Sequence, residues 1–173
     1  MSGWTADLGL AVLRVTLGAV MLAHGVNHVF RGGKIAGTAR WFGSMGMRPP
    51  VVHAWLASLV EMGAGALLIA GLLTPLAAAG SIGIMTVAFV INHRKNGFFI
   101  FRPGEGYEYV MTLALLGFGV ALLGGGRWSL DEAAGLTGKL DAGVGLALAA
   151  GGGVGGGLAL LAACWRPEKK PAD

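Results

Sequence analysis

The sequence predicts an all-α membrane protein, a four-helix transmembrane bundle plus a fifth C-terminal transmembrane helix, and three observations predict it. Of the 173 residues, 54% are apolar and only 13% are charged, where soluble domains carry about 25% charge. Mean hydropathy is +0.67. The remaining charges are segregated, with long stretches carrying none and short connecting segments carrying nearly all of them, as a bilayer imposes.

The first span is expected over residues 8–29. The chain opens MSGWTAD, with Asp7 just before the first apolar run. It therefore lacks the positive n-region and small-residue cleavage pattern of a secretory signal, and the run is expected to remain in the membrane. A second span over 54–73 and a third over 76–92 are separated only by a Leu72-Leu73-Thr74-Pro75 turn. The third is bounded by Pro75 and the polar Asn92-His93-Arg94, and a fourth covers 108–124. Both are near the short limit for about 30 Å of hydrocarbon.

The fifth span, 142–163, centres on GGGVGGG at 151–157. Its i,i+4 pairs Gly151/Gly155, Gly152/Gly156 and Gly153/Gly157 would let a partner helix approach closely. No GxxxxGK[ST] pattern accompanies the run, so it is not read as a phosphate loop. The chain divides into a four-helix unit over 1–131 and an appendage over 132–173, made of a linker, the glycine-rich span and a basic tail.

Loop charge sets the expected orientation. Arg31, Lys34, Arg40, Arg48, Arg94, Lys95, Arg102, Arg166, Lys169 and Lys170 fall on one side, and only Arg127 and Lys139 on the other, offset by Asp131, Glu132 and Asp141. Basic residues favour the cytoplasmic side, so the amino terminus is expected outside and the carboxyl terminus in the cytoplasm. The net charge of +4 is scattered through separate linkers and suits anionic lipid; no nucleic-acid partner is expected. Cys164 is the only cysteine, so no intramolecular disulfide or dithiol cycle can form, and it reads as a packing residue.

Ionisable groups inside the spans are the candidates for function, because each costs a few kcal/mol unless partnered or hydrated. Arg14 lies about 9 Å into the first span at about 1.5 Å per residue and either snorkels outward or turns inward. His24 and His28 share one face at i,i+4, and Arg14 falls about 40° from His28 on the same helix. Glu61, about seven residues into the second span by the same helical count, has no basic neighbour on its helix. It must be protonated, paired across helices or hydrated. Ala57 and Gly65 flank it at i±4, so its face is expected to pack closely.

Alternating the spans brings His24, His28, Glu61, Asn92, His93, Tyr107, Glu108 and Tyr109 to the cytoplasmic half, where they would line a polar pocket. The aromatic belt offers a plain account of Trp55, Tyr107 and Tyr109. His24, His28 and Glu61 would be three metal ligands by spacing, but with no HExxH and no cysteine support no metal site is expected.

The stretches LRVTLGAVMLAHG (13–25), WFGSMGMRPP (41–50), LVEMGAGALLIAGLLTPLAA (59–78), NGFF (96–99) with GYEY (106–109) and ALLGGGRWSLD (121–131) together resemble the DoxX family of bacterial membrane proteins. The resemblance implies a four-helix unit in the cytoplasmic membrane, linked to thiosulfate-to-quinone electron transfer or to assemblies handling thiol and oxidative stress. It carries the family's arginine to Arg14, its HG histidine to His24, its second-span glutamate to Glu61, the histidine before NGFF to His93 and the GYEY carboxylate to Glu108. Where relatives often have a lysine after the HG pair, this chain has His28.

The candidate catalytic set is therefore Glu61, His24, His93 and Glu108, with Arg14, His28, Asn96 and Tyr109 lining the pocket, and a quinone or a bound lipid as the ligand. Three readings follow: an accessory or scaffold subunit of a membrane redox or stress-response complex, a quinone- or thiol-linked oxidoreductase component, and a small-solute transporter. Partners implied are membrane lipid, other membrane or soluble subunits, and a second copy joined through the glycine-rich span.

Overall fold

A computed structural model describes residues 3–167 of the chain; Lys169 and Lys170 of the expected basic tail lie outside the described residues. The helices are α1 (Gly3–Phe30), α2 (Lys34–Ser44), α3 (Pro50–Ala70), α4 (Thr74–His93), α5 (Glu108–Leu123), the short α6 (Leu130–Ala133) and α7 (Ala142–Cys164). Four of them, α1, α3, α4 and α7, are long and apolar enough to cross a membrane. Helix α5 is apolar but has 16 residues, about 24 Å against about 30 Å of hydrocarbon. The five spans expected from the sequence thus become four helices of crossing length and one shorter apolar helix.

Boundaries follow local chemistry. Pro50 stands at the start of α3, where its missing N–H costs nothing. Gly71 ends that helix in the left-handed region, φ 67°. Helix α2 is an element the sequence reading left as a loop. It carries Lys34 and Arg40 among small and aromatic residues, buries Thr38 and Ala39, and folds back against α1 and α3.

Helices α1 and α3 meet at glycine. A Cβ on Gly18 would lie 2.7 Å from the Gly65 carbonyl oxygen, and one on Gly25 would lie 2.8 Å from that of Ser58. The face of α3 that carries Glu61 is therefore the closely packed one, as Ala57 and Gly65 predict. Helix α4 is central, with Ala77, Ala78, Ile82 and Met85 buried among Leu17, Leu68, Leu113 and Val120 from its neighbours.

Helix α7 packs on α4 and α5 of its own chain. Its contact stripe is Gly145, Gly153 and Gly157: a Cβ on Gly153 would lie 2.8 Å from Ile82, and one on Gly157 3.1 Å from the Gly83 carbonyl, while one on Gly145 would run into the Ala121 carbonyl. Of the three glycine pairs read from the sequence, only Gly153/Gly157 meets a helix in this way; Gly151 and Gly156 face open space. A π-helical stretch, Leu148–Gly155, sets that register.

Candidate functional site

The helix order brings the basic segments, the α2 turn, the 94–107 loop and Trp165–Arg166, to one end of the bundle. At that end a cavity of about 150 Å³ opens among α1, α3, α4 and α5, with Trp41 and Phe42 of α2 along its rim. His24 and His28 enter from α1, Glu61 from α3, Asn92 and His93 from the last turn of α4, and Tyr109 from α5. Of the eight polar groups expected at this depth these six line the cavity; Tyr107 and Glu108 do not.

Two polar groups are already satisfied. His24 Nε2 is 2.8 Å from the Tyr109 hydroxyl, and whichever of the two donates, the other keeps a proton to offer. His93 Nδ1 faces the Glu105 carbonyl oxygen at 2.9 Å, so it carries the proton, and Nε2 faces the Asn92 amide at 3.3 Å. The last turn of α4 opens to i→i−5 bonding, with the Arg94 N–H donating to Phe89 O. Wider turns of this kind recur at functional sites, and here one places Asn92 and His93.

Glu61 is different. Its side chain is 3% exposed, and Oε2 approaches His28 Nδ1 to 3.0 Å. Both atoms nevertheless lack a hydrogen-bond partner: the contact is close, but the ring N–H does not point along it. A buried carboxylate oxygen without a donor costs a few kcal/mol. The neighbouring cavity is where a donor would stand.

Other sequence candidates lie elsewhere. Arg14 does not line the cavity. It turns inward at the opposite end, where Nη1 donates to Leu68 O at 2.8 Å and Ile69 O at 2.7 Å and Nη2 donates to Trp128 O. Leu68 and Ile69 belong to the last turn of α3, where exposed carbonyls favour a cation, and Trp128 lies in the segment before α6. Beside it, buried Asp131 accepts from Leu73 and Thr74 N–H at 2.7 and 2.9 Å, capping α4. The two residues clamp the α3–α4 turn.

Asn96 and Glu108 also miss the cavity lining. Asn96 Nδ2 reaches the carbonyls of Asn92, Gly104 and Glu105 at 3.0, 2.6 and 3.0 Å. It closes the loop that presents Glu105 to His93. Glu108 Oε2 accepts from Ile100 N–H at 3.1 Å and holds the same loop from the α5 side. Sequence reasoning missed Trp41, Phe42 and Glu105 in the lining; the aromatic pair in ARWFGSMG was the available signal. Among the described residues no group of three or more His, Cys, Asp or Glu is arranged to hold a metal ion.

The family model described as DoxX matches residues 9–94. The match takes in His24, His28, Glu61 and His93 and stops short of Glu108, Tyr109 and the ALLGGGRWSLD stretch, so the wider 13–131 resemblance is met only in part. No curated protein and no solved structure matches the chain.

Proposed function

We propose that the chain, whose residues 9–94 match the DoxX family model, is a quinone-linked component of a membrane redox complex, binding the quinone ring in the Glu61 cavity. The observation that carries this reading is the unpartnered, buried Glu61 carboxylate beside His28. Of the buried polar atoms without a hydrogen-bond partner, those of Glu61 and His28 line this cavity and those of Arg14, His53 and Thr74 do not, so a ligand in the cavity is placed to bond to the first two.

Size and chemistry fit a single ring. A cavity of about 150 Å³ is the size that holds benzene in an engineered protein core, and this one measures about 150 Å³. When bound, a quinone supplies a carbonyl ring able to take up electrons and protons. The His24–Tyr109 pair keeps one proton to donate to a carbonyl and so orients the ring. His93 is committed to Glu105 and Asn92 and shapes the wall. Glu61 and His28, 3.0 Å apart, hold or release a proton between them at the buried edge. Trp41 and Phe42 cover the basic end and limit water. With Cys164 the only thiol, the electrons come from a partner protein.

Glu61→Gln keeps the shape and removes the carboxylate. With the partner complex intact and quinone-dependent turnover reduced at least about tenfold, the reading stands. Wild-type protein that neither binds a quinone nor alters its reduction rate with the partner present overturns it.

A second reading, an accessory subunit that joins larger assemblies, is favoured by the open side of α7, where a Cβ on Gly151 would meet nothing within 4 Å. In that case Glu61→Gln disrupts assembly before it touches any redox rate.

A further inference from the structure

The ring cavity has an apolar space as its neighbour. A groove of about 330 Å³ runs between α3, α4 and α7, lined by Val60, Ala79, Gly80, Gly83, Gly152 and Gly156 among others. Between groove and ring cavity lies a small space of about 50 Å³. It shares Phe42 and Ile84 with the ring cavity and Leu56, Ile84, Val87 and Leu160 with the groove. Ile84 borders all three, so one side chain separates a polar chamber from an apolar one.

We propose that the groove holds the apolar tail of the ligand whose ring occupies the Glu61 cavity, so that the ligand class is a long-tailed quinone. The inference rests on the ring-binding reading above. Along α4 the groove extends from Leu76 to Val87, about 16 Å of helix, which suits an extended chain better than a second ring. Its floor is small because α7 approaches α4 through Gly153 and Gly157, leaving Gly152 and Gly156 at the groove's edge. The glycine-rich helix thus gains a function beyond close packing: it walls the tail site.

The test uses the full-length protein in detergent and one benzoquinone head with and without a decyl tail, affinities being corrected for partition of the tail into micelles. Gly156→Leu fills the groove where a Cβ meets nothing within 4 Å; Gly151→Leu, equally open but outside the groove lining, is the control. The wild type and Gly151→Leu are expected to prefer the tailed compound by at least about tenfold, since several buried methylenes contribute. Gly156→Leu is expected to lose that preference while binding the tail-less head unchanged.

A preference equal in all three proteins overturns the tail site and leaves the ring site standing. Failure of the wild type to bind either compound overturns the ring reading and the inference with it. Should Gly156→Leu fail to fold, a photoreactive group at the tail's end decides: labelling of α7 or the Leu76–Val87 face of α4 supports the site, and labelling confined to α1 beside His24 places the tail on the other side and overturns it.

Discussion

Arg14 and Glu61 are both buried charges by residue type, and they were read from the sequence by the same rule, yet their surroundings assign them opposite roles. Arg14 donates from both terminal nitrogens to Leu68 O, Ile69 O and Trp128 O, leaving only Nε without a partner, whereas Glu61 Oε2 has only the His28 ring nitrogen, 3.0 Å away and out of line for a hydrogen bond, at the wall of a cavity. The first arrangement ties helices together, and the second leaves a polar group facing space that a ligand can enter. Arg14→Met keeps the length of the side chain but removes the donor to the Ile69 and Trp128 carbonyls and leaves Leu68 O with the Gly71 N–H alone. It is expected to lower stability by about 2–4 kcal/mol, seen as a fall in the thermal midpoint in detergent, with quinone affinity unchanged at the far end. A loss of quinone affinity without a stability change would instead tie Arg14 to the ligand. Helical spacing puts Arg14 on one face of the first span with His24 and His28, which is why the sequence groups it with the pocket. That face is real: Arg14 and His28 both meet α3, the first at its C-terminal turn and the second at Glu61 in its middle.

Helices are where the sequence was most legible, because hydropathy reports the one property that decides them. The spans expected at 54–73, 76–92, 108–124 and 142–163 begin within four residues of α3, α4, α5 and α7. Helix α2 was not legible, since an 11-residue segment that is basic on one side has the composition of a loop. Its role depends on folding back over α1 and α3, which no local pattern encodes. Glycine usage in α7 was half legible: the run announces close approach, but which glycines touch depends on the π-helical register. Gly145→Ala therefore offers a sharp contrast with Gly151→Ala. The first drives a Cβ into the Ala121 carbonyl of α5 and the second meets nothing. Overpacking against backbone predicts a loss of roughly 1–3 kcal/mol or more for Gly145→Ala, while Gly151→Ala is neutral or stabilising by up to about 1 kcal/mol through helix propensity. Thermal unfolding of the two variants side by side checks this, and equal midpoints would show that α7 does not pack as described.

At the scale of the whole molecule the path of the chain carries a topological consequence. The His93–Glu105 contact joins α4 to the start of α5 at the basic end, the Gly145–Ala121 approach joins the start of α7 to the end of α5 at the other, and Trp165 returns to Met45 at the basic end. Helix α5 must then carry the chain from one end to the other even though its 16 residues fall short of the hydrocarbon thickness. It can do so because its neighbours α1, α4 and α7 flank it, and a short helix so placed needs only modest local thinning or tilt. With α5 crossing, five passages would put the two termini on opposite sides. The basic segments Arg31–Arg48, Arg94–Arg102 and Arg166 share the carboxyl-terminal end, and on the positive-inside rule we propose that this end faces the cytoplasm. A reporter that is active only in the cytoplasm, fused in turn to each terminus, is expected to respond at the carboxyl end alone. Response at both ends would mean that α5 does not cross and that the bundle has an even number of passages; response at the amino end alone would invert the protein and put the Glu61 cavity on the outer face.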